Sequence, residues 1–111
     1  MGRLHIGEFE ELVLLICAIH YEEAYAVIIK AEIASQSGRT VNISAVHKAL
    51  YRLEEKGMLK SLMSDPVSKR GGKRRRLFQV TPLGKKALDE SRELRTNLHD
   101  QIPAKAFQWT Q

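Results

Sequence analysis

A chain of 111 residues with 43% hydrophobic and 28% charged side chains has room for one domain with a modest core. The formal net charge is +5, but residues 39–86 carry +10 while residues 1–38 carry −4 and residues 87–111 carry −1. Charge gathered in this way points to an anionic partner more strongly than a uniformly basic surface would. No apolar run approaches the ~20 residues of a membrane span, and no basic stretch leads into the longest one, "LVLLICAI", as in a secretory signal. A single cysteine, Cys17, excludes an internal disulfide. The expected location is therefore cytoplasmic, with no membrane as partner.

Gly7 opens a helical pattern with Glu8, Glu10 and Glu11 in its first turn, where carboxylates suit the positive end of the helix dipole. Phe9, Leu12, Val13, Ile16 and Ile19 recur at three- and four-residue steps and are expected to face inward. Leu14, Leu15 and Cys17 add apolar surface elsewhere, so this helix is expected to bury one side internally and another against a partner chain. A lone cysteine on such a face reads as a small core residue rather than a sensor.

A second helix is predicted from Ala24 to Ser37, with Tyr25, Ile28, Ile29 and Ile33 inward and Gly38 as its C-terminal cap. Arg39, Thr40 and Val41 form an extended link. Asn42 or Ser44 caps a third helix that runs to Lys56 and ends at Gly57. Val46, Ala49, Leu50 and Leu53 make its buried stripe, and Ser44, Lys48, Tyr51, Arg52 and Glu55 are expected on the opposite face.

Residues 58–64 and 74–80 read as paired strands, with Phe78 and Val80 on one face of the second. The hairpin tip between them contains Pro66, Gly71 and Gly72 and the cations Lys69, Arg70 and Lys73, continued by Arg74, Arg75 and Arg76. Thr81 and Pro82 start a last helix with a capping hydroxyl and a proline at its first position. Leu88, Ser91, Leu94 or Arg95, Leu98 and Ile102 recur along it like a coiled-coil seam, and Pro103 ends it.

This order gives a mainly α fold with a small β-hairpin: a winged helix-turn-helix with an added C-terminal helix. Residues 1–81 are expected to form a DNA-binding domain, 82–102 a dimerisation helix and 103–111 a tail. In such folds the second helix of the motif enters the major groove, which here presents Asn42, Ser44, His47, Lys48, Tyr51 and Arg52. The wing cations would neutralise phosphates, and the Gly-Gly tip can follow the backbone closely. A solvated helix face and a solubilising basic loop are the competing explanations; their occurrence together inside one +10 block favours double-stranded DNA as the partner. His5, His20, His47 and His99 lack metal-ligand spacing, and no nucleophile–base pair or phosphate cradle is recognisable. Neither a metal, a cofactor nor an enzyme activity is expected.

The stretches "GEFEELVLLICAI", "AYAVIIKAEI", "VNISAVHKALYRLEEKGML" and "RGGKRRRLFQVTPLGKKAL" resemble, in order and spacing, the PadR family of bacterial transcriptional regulators across residues 6 to 95. The compact branch of that family is the nearer likeness, since the C-terminal part is short. The resemblance implies a homodimeric repressor, assembled through helix 1 and the C-terminal helix, that binds an inverted repeat. It also implies that some members release DNA on taking up a small aromatic effector. The predicted seam uses Leu12, Leu15, Ile16 and Ile19 with Leu88, Ser91, Leu98 and Ile102. Two departures stand out: His47 occupies a position usually tyrosine, and residues 82–102 contain no aromatic side chain to line a pore between subunits. A sensor with its ligand at the dimer interface, and a basic module that meets an acidic protein, remain the alternatives.

Overall fold

The computed structural model describes residues 4–64 and 74–109. Its elements are α1 (Glu8–Ile19), α2 (Ala26–Ser37), α3 (Ile43–Glu55), β1 (Leu59–Met63), β2 (Arg76–Val80) and α4 (Pro82–Asp100), followed by a 3₁₀ turn at Ala104–Phe107. The expected order of helices and hairpin holds throughout.

Local chemistry sets the boundaries. The Glu10 carboxylate reaches back to the Gly7 N–H at 3.4 Å and closes the start of α1. Asn42 caps α3, its side-chain oxygen accepting from the Ala45 N–H at 2.9 Å. Gly38 and Gly57 follow α2 and α3 with φ of +73° and +77°, left-handed angles that L side chains resist. Thr81 Oγ1 accepts from the Gly84 N–H at 3.1 Å and donates to the Gly57 carbonyl at 2.6 Å, so one hydroxyl caps α4 and ties it to the end of α3.

β1 and β2 pair antiparallel, with Leu59 opposite Val80, Ser61 opposite Phe78 and Met63 opposite Arg76. A further bond joins the hairpin to the chain ahead of α2, where the Phe78 N–H donates to the Ala24 carbonyl at 2.8 Å. Tyr25, next to that bond, is extended at φ −128° and ψ 162° as the N-cap, so α2 begins at Ala26 rather than at about Ala24 as expected. The strands are also shorter than the 58–64 and 74–80 predicted.

The core lies where α1, α2 and α3 meet the inner face of the hairpin. Val13, Leu14, Ile16 and Cys17 enter from α1, Ile29 and Ile33 from α2, and Val46, Ala49, Leu50 and Leu53 from α3. Met58, Leu59 and Phe78 close it from the hairpin, and Ala87 from α4. The α3 stripe is the one predicted. On α1 the structure corrects two expectations: Ile19, expected inward, is 59% exposed, whereas Leu14 is fully buried. Ile16 is also corrected as a seam residue, because at 2% exposure it belongs to the protomer's own core and has no surface for a second copy. A helix apolar around most of its girth is oriented by its neighbours, not by its own pattern.

Candidate nucleic-acid interface

At about 100° per residue along α3, Ser44, Lys48, Tyr51 and Glu55 fall opposite the buried stripe, and all four are exposed. His47 flanks them on one edge and Arg52 on the other, both exposed. Arg52 leans toward α1, where its charge acts on Glu10 together with that of Lys56. Asn42 stands at the head of the row with its oxygen engaged in the cap, which leaves the amide N–H₂ as its outward donor.

The base of the hairpin is fastened to this helix. Arg76 Nη2 donates to Glu54 Oε1 at 3.2 Å, and its guanidinium carbon lies 5.7 Å from the centroid of the Tyr51 ring. Ser61 on the neighbouring strand donates to Glu54 Oε2 at 2.6 Å, so one carboxylate grips both strands of the hairpin. The rings of His47 and Tyr51 stack at 6.1 Å. One residue earlier, Arg75 lies over the Tyr25 ring at 4.0 Å, close range for a cation over an aromatic face. Its backbone is pinned by reciprocal bonds with Ser64: the Ser64 N–H donates to the Arg75 carbonyl at 2.8 Å, and the Arg75 N–H donates to Ser64 Oγ at 2.9 Å.

Arg76 therefore lies beside Tyr51, Arg75 beside Tyr25, and Arg74 is exposed next to them in the chain. Lys69, Arg70 and Lys73 lie outside the described residues. Between the hairpin base, the start of α2 and α3 is a cleft of about 280 Å³ lined by Tyr25, Val27, His47, Tyr51, Arg75 and Phe78, among others. Tyr25 and Glu54 were not among the residues expected here from sequence. The sequence reads Tyr25 as an inward residue of α2 and assigns Glu54 no role. Their roles depend on a hairpin whose arginines lie 22 positions from Glu54 and 50 from Tyr25.

The residues expected at a subunit seam form a second region. Leu15 is 44% exposed, Leu98 53% and Ile102 39%; Ile19 is more exposed still, and Leu12, Leu88 and Ser91 are half-buried. Leu15 and Leu88 line a groove of about 560 Å³ between α1 and α4, spanned by Arg95 and Glu11 at 3.7 Å. Cys17 is buried, and burial pushes its thiol up to about 12, so it carries no reactive thiolate at neutral pH. Among the described residues there is no cluster of three or more His, Cys, Asp or Glu that could hold a metal, and no helix long and apolar enough to cross a membrane.

The family model described as "Transcriptional regulator PadR-like family" matches residues 14–90. No curated protein matches the chain in sequence. Several solved structures share its fold. A PadR-like transcription factor from Bacteroides fragilis superposes with a TM-score of 0.70 at 21% identity, over 83% of this chain and 84% of that one. A PadR family transcriptional regulator from Eggerthella lenta gives 0.65 at 25% identity, over 84% and 80%. A structure described as a complex, hsRosR-S4, gives 0.67 at 22% identity, over 88% and 77%.

Proposed function

We propose that this chain, which belongs to the PadR-like family of transcriptional regulators, binds duplex DNA as a homodimer and represses transcription from an inverted repeat. Members of the family are transcription regulators, not enzymes. The observation that carries the reading is the joint between α3 and the hairpin: Arg76 bonded to Glu54 and lying over Tyr51. On this reading the outward side of α3 and the arginines of the hairpin form one continuous cationic face. A duplex can meet both at once, with α3 in the major groove and the hairpin along neighbouring phosphates.

In this arrangement Ser44, Lys48 and Tyr51 lie toward base edges, while Arg52 and Arg74 to Arg76 meet phosphate oxygens and set the register. His47 and the Asn42 amide supply further donors at the rim, and Lys69, Arg70 and Lys73 extend the phosphate contacts. Residues 1–81 act as the DNA-binding unit and 82–102 as the dimerisation helix. The seam joins Leu12, Leu15 and Ile19 of α1 with Leu88, Ser91, Leu98 and Ile102 of the partner helix, and the exposure of Leu15, Ile19 and Leu98 supports it. A two-fold axis then sets paired α3 helices about 34–36 Å apart, one turn of DNA. Repression follows from occupancy, since a dimer seated on a promoter excludes polymerase.

Selection of bound fragments from genomic DNA tests this directly. The expected product is an inverted repeat with half-sites centred about 10–10.5 base pairs, or a multiple of that, apart. Recovery of fragments with no shared sequence would refute it.

A further inference from the structure

Every residue from Arg92 to Trp109 is exposed, although α4 and the 3₁₀ turn after it are regular structure. The residues of α4 that the protomer buries are Gly84 and Ala87, so beyond Ser91 the helix leaves the body of the protein as an arm. The radius of gyration reflects this: 17.3 Å, against about 13 Å for a compact chain of ~100 residues. The arm is not polar throughout. Leu94, Leu98 and Ile102 follow one another at steps of four along one side of it. Pro103 then turns the chain, and Phe107 and Trp109 bring their rings to 6.2 Å, a two-ring knob whose members are 57% and 80% exposed. Adjoining aromatic side chains left so far in water mark a contact surface, since such rings concentrate in the buried centre of protein interfaces.

The protomer also has a cavity that suits the knob and does not fill it itself. The groove of about 560 Å³ between α1 and α4 has Leu15 and Leu88 as apolar lining and Arg92 and Arg95 as cations. A cavity of this size takes a drug-sized body, and a cation beside an indole face is attracted to it. Neither Phe107 nor Trp109 lines the groove, although Thr96 and His99 of the same arm do, so the tail runs on past its own groove. We infer that the Phe107–Trp109 knob of each copy seats in the α1–α4 groove of a second copy, with the rings on Leu15 and Leu88 and the indole against Arg92. The inference rests on the homodimer proposed above and extends it. Leu98 and Ile102, already assigned to the seam, carry the tail across to the partner, and neither groove is complete without the partner's rings. Two-fold symmetry makes the exchange reciprocal.

Trp109 is the chain's one tryptophan, so its fluorescence reports the tail alone. Sedimentation and emission are followed together over a dilution series of the full chain. As dimer forms, the emission should move to the blue and quenching by iodide should fall, both along the sedimentation curve. Trp109→Ala should weaken the dimer about tenfold or more, as loss of an interface anchor does; the side chain is exposed in the protomer, so the fold persists. A dimer that this variant does not weaken, or whose Trp109 stays as quenchable as in the monomer, overturns the docking and leaves the homodimer standing. Protection of Trp109 already in the monomer overturns it too, by placing the tail on its own protomer. A chain that stays monomeric refutes the homodimer and this inference with it.

Cross-linking between copies reads the location. Thr96→Cys puts a thiol in the groove and Gln108→Cys puts one between the two rings, while Cys17 is buried with its thiol pushed up to about 12 and stays silent. A short bismaleimide added to a mixture of the two variants should give a covalent dimer well above the yield from either variant alone. Equal yields from the mixture and the single variants move the knob out of this groove and overturn the assignment.

Discussion

Arg76 on β2 and Glu54 on α3 meet at 3.2 Å, and the same carboxylate receives the Ser61 hydroxyl at 2.6 Å. Glu54 thus fastens both strands of the hairpin to α3, the helix proposed to meet DNA. The two bonds differ in weight. The ion pair is about half-exposed on the arginine side and contributes little to stability, whereas the short bond from Ser61 is partly buried. Glu54→Ala should cost about 1–2 kcal/mol, and Arg76→Ala less than about 1 kcal/mol, in urea unfolding. Equal losses would contradict this division and give the hold to the ion pair.

Gly84 lies in the first turn of α4 where the helix crosses the hairpin. A Cβ there would overlap the Met58 carbonyl oxygen and come to 2.9 Å of Val80 Cγ1. The Met58 carbonyl cannot yield freely, because it accepts the Thr81 N–H at 3.0 Å. Gly84→Ala is expected to destabilise by about 1–3 kcal/mol although alanine is the better helix former. An unchanged thermal midpoint would mean that α4 does not approach the hairpin so closely.

Acid should loosen the link between α1 and α3. Burial alone would raise the Glu10 carboxyl above its ordinary value of 4.5, but the Lys56 hydrogen bond, the Gly7 N–H and the charges of Lys56 and Arg52 outweigh it and hold the group below that value. A lowered acid contributes its stability above the unfolded value and loses it as pH falls through the folded one. The stability gap between the wild type and Glu10→Gln should hold from neutral pH down to about 4.5 and close below it. A gap that persisted in more acidic solution would rule out the charged Glu10–Lys56 bond, seen at 2.6 Å, as its source.

Leu98 is 53% exposed on α4 and has no part in the protomer core. Leu98→Asp should therefore leave folding intact and halve the mass seen in sedimentation. A dimer mass retained by the variant would exclude this seam. The contrast is Ile16→Asp, which should unfold the chain, since that side chain is buried within one protomer.

Much of this molecule is legible in its residues, and the limits have physical causes. The stripe Val46, Ala49, Leu50 and Leu53 was readable because polar residues bracket it on α3, leaving one orientation that buries the apolar side. Thr81 was readable as a cap, and Asn42 as one of two candidates with Ser44, because their oxygens act within three residues. On α1 the pattern was degenerate: Leu14 and Ile19 are equally apolar, and packing against α2 and α3 decides which one is buried. The site divides in the same way. The row Ser44, Lys48 and Tyr51 follows from helical spacing alone. The contacts of Tyr25 with Arg75 and of Glu54 with Ser61 and Arg76 join residues 7 to 50 positions apart, and no local periodicity encodes them.

The most direct test of a single DNA-binding face is the salt dependence of duplex affinity in variants of its two halves. Each phosphate contact contributes about 0.9 to the slope of log K against log salt. Arg52→Ala on α3 should lower the slope of the dimer by about 2, and the double change Arg74→Ala, Arg75→Ala on the hairpin by about 3–4. Both losses should appear on the same duplex. A slope that responds to one half and is untouched by the other would contradict the account, because DNA would then be meeting α3 or the hairpin but not the face they form together.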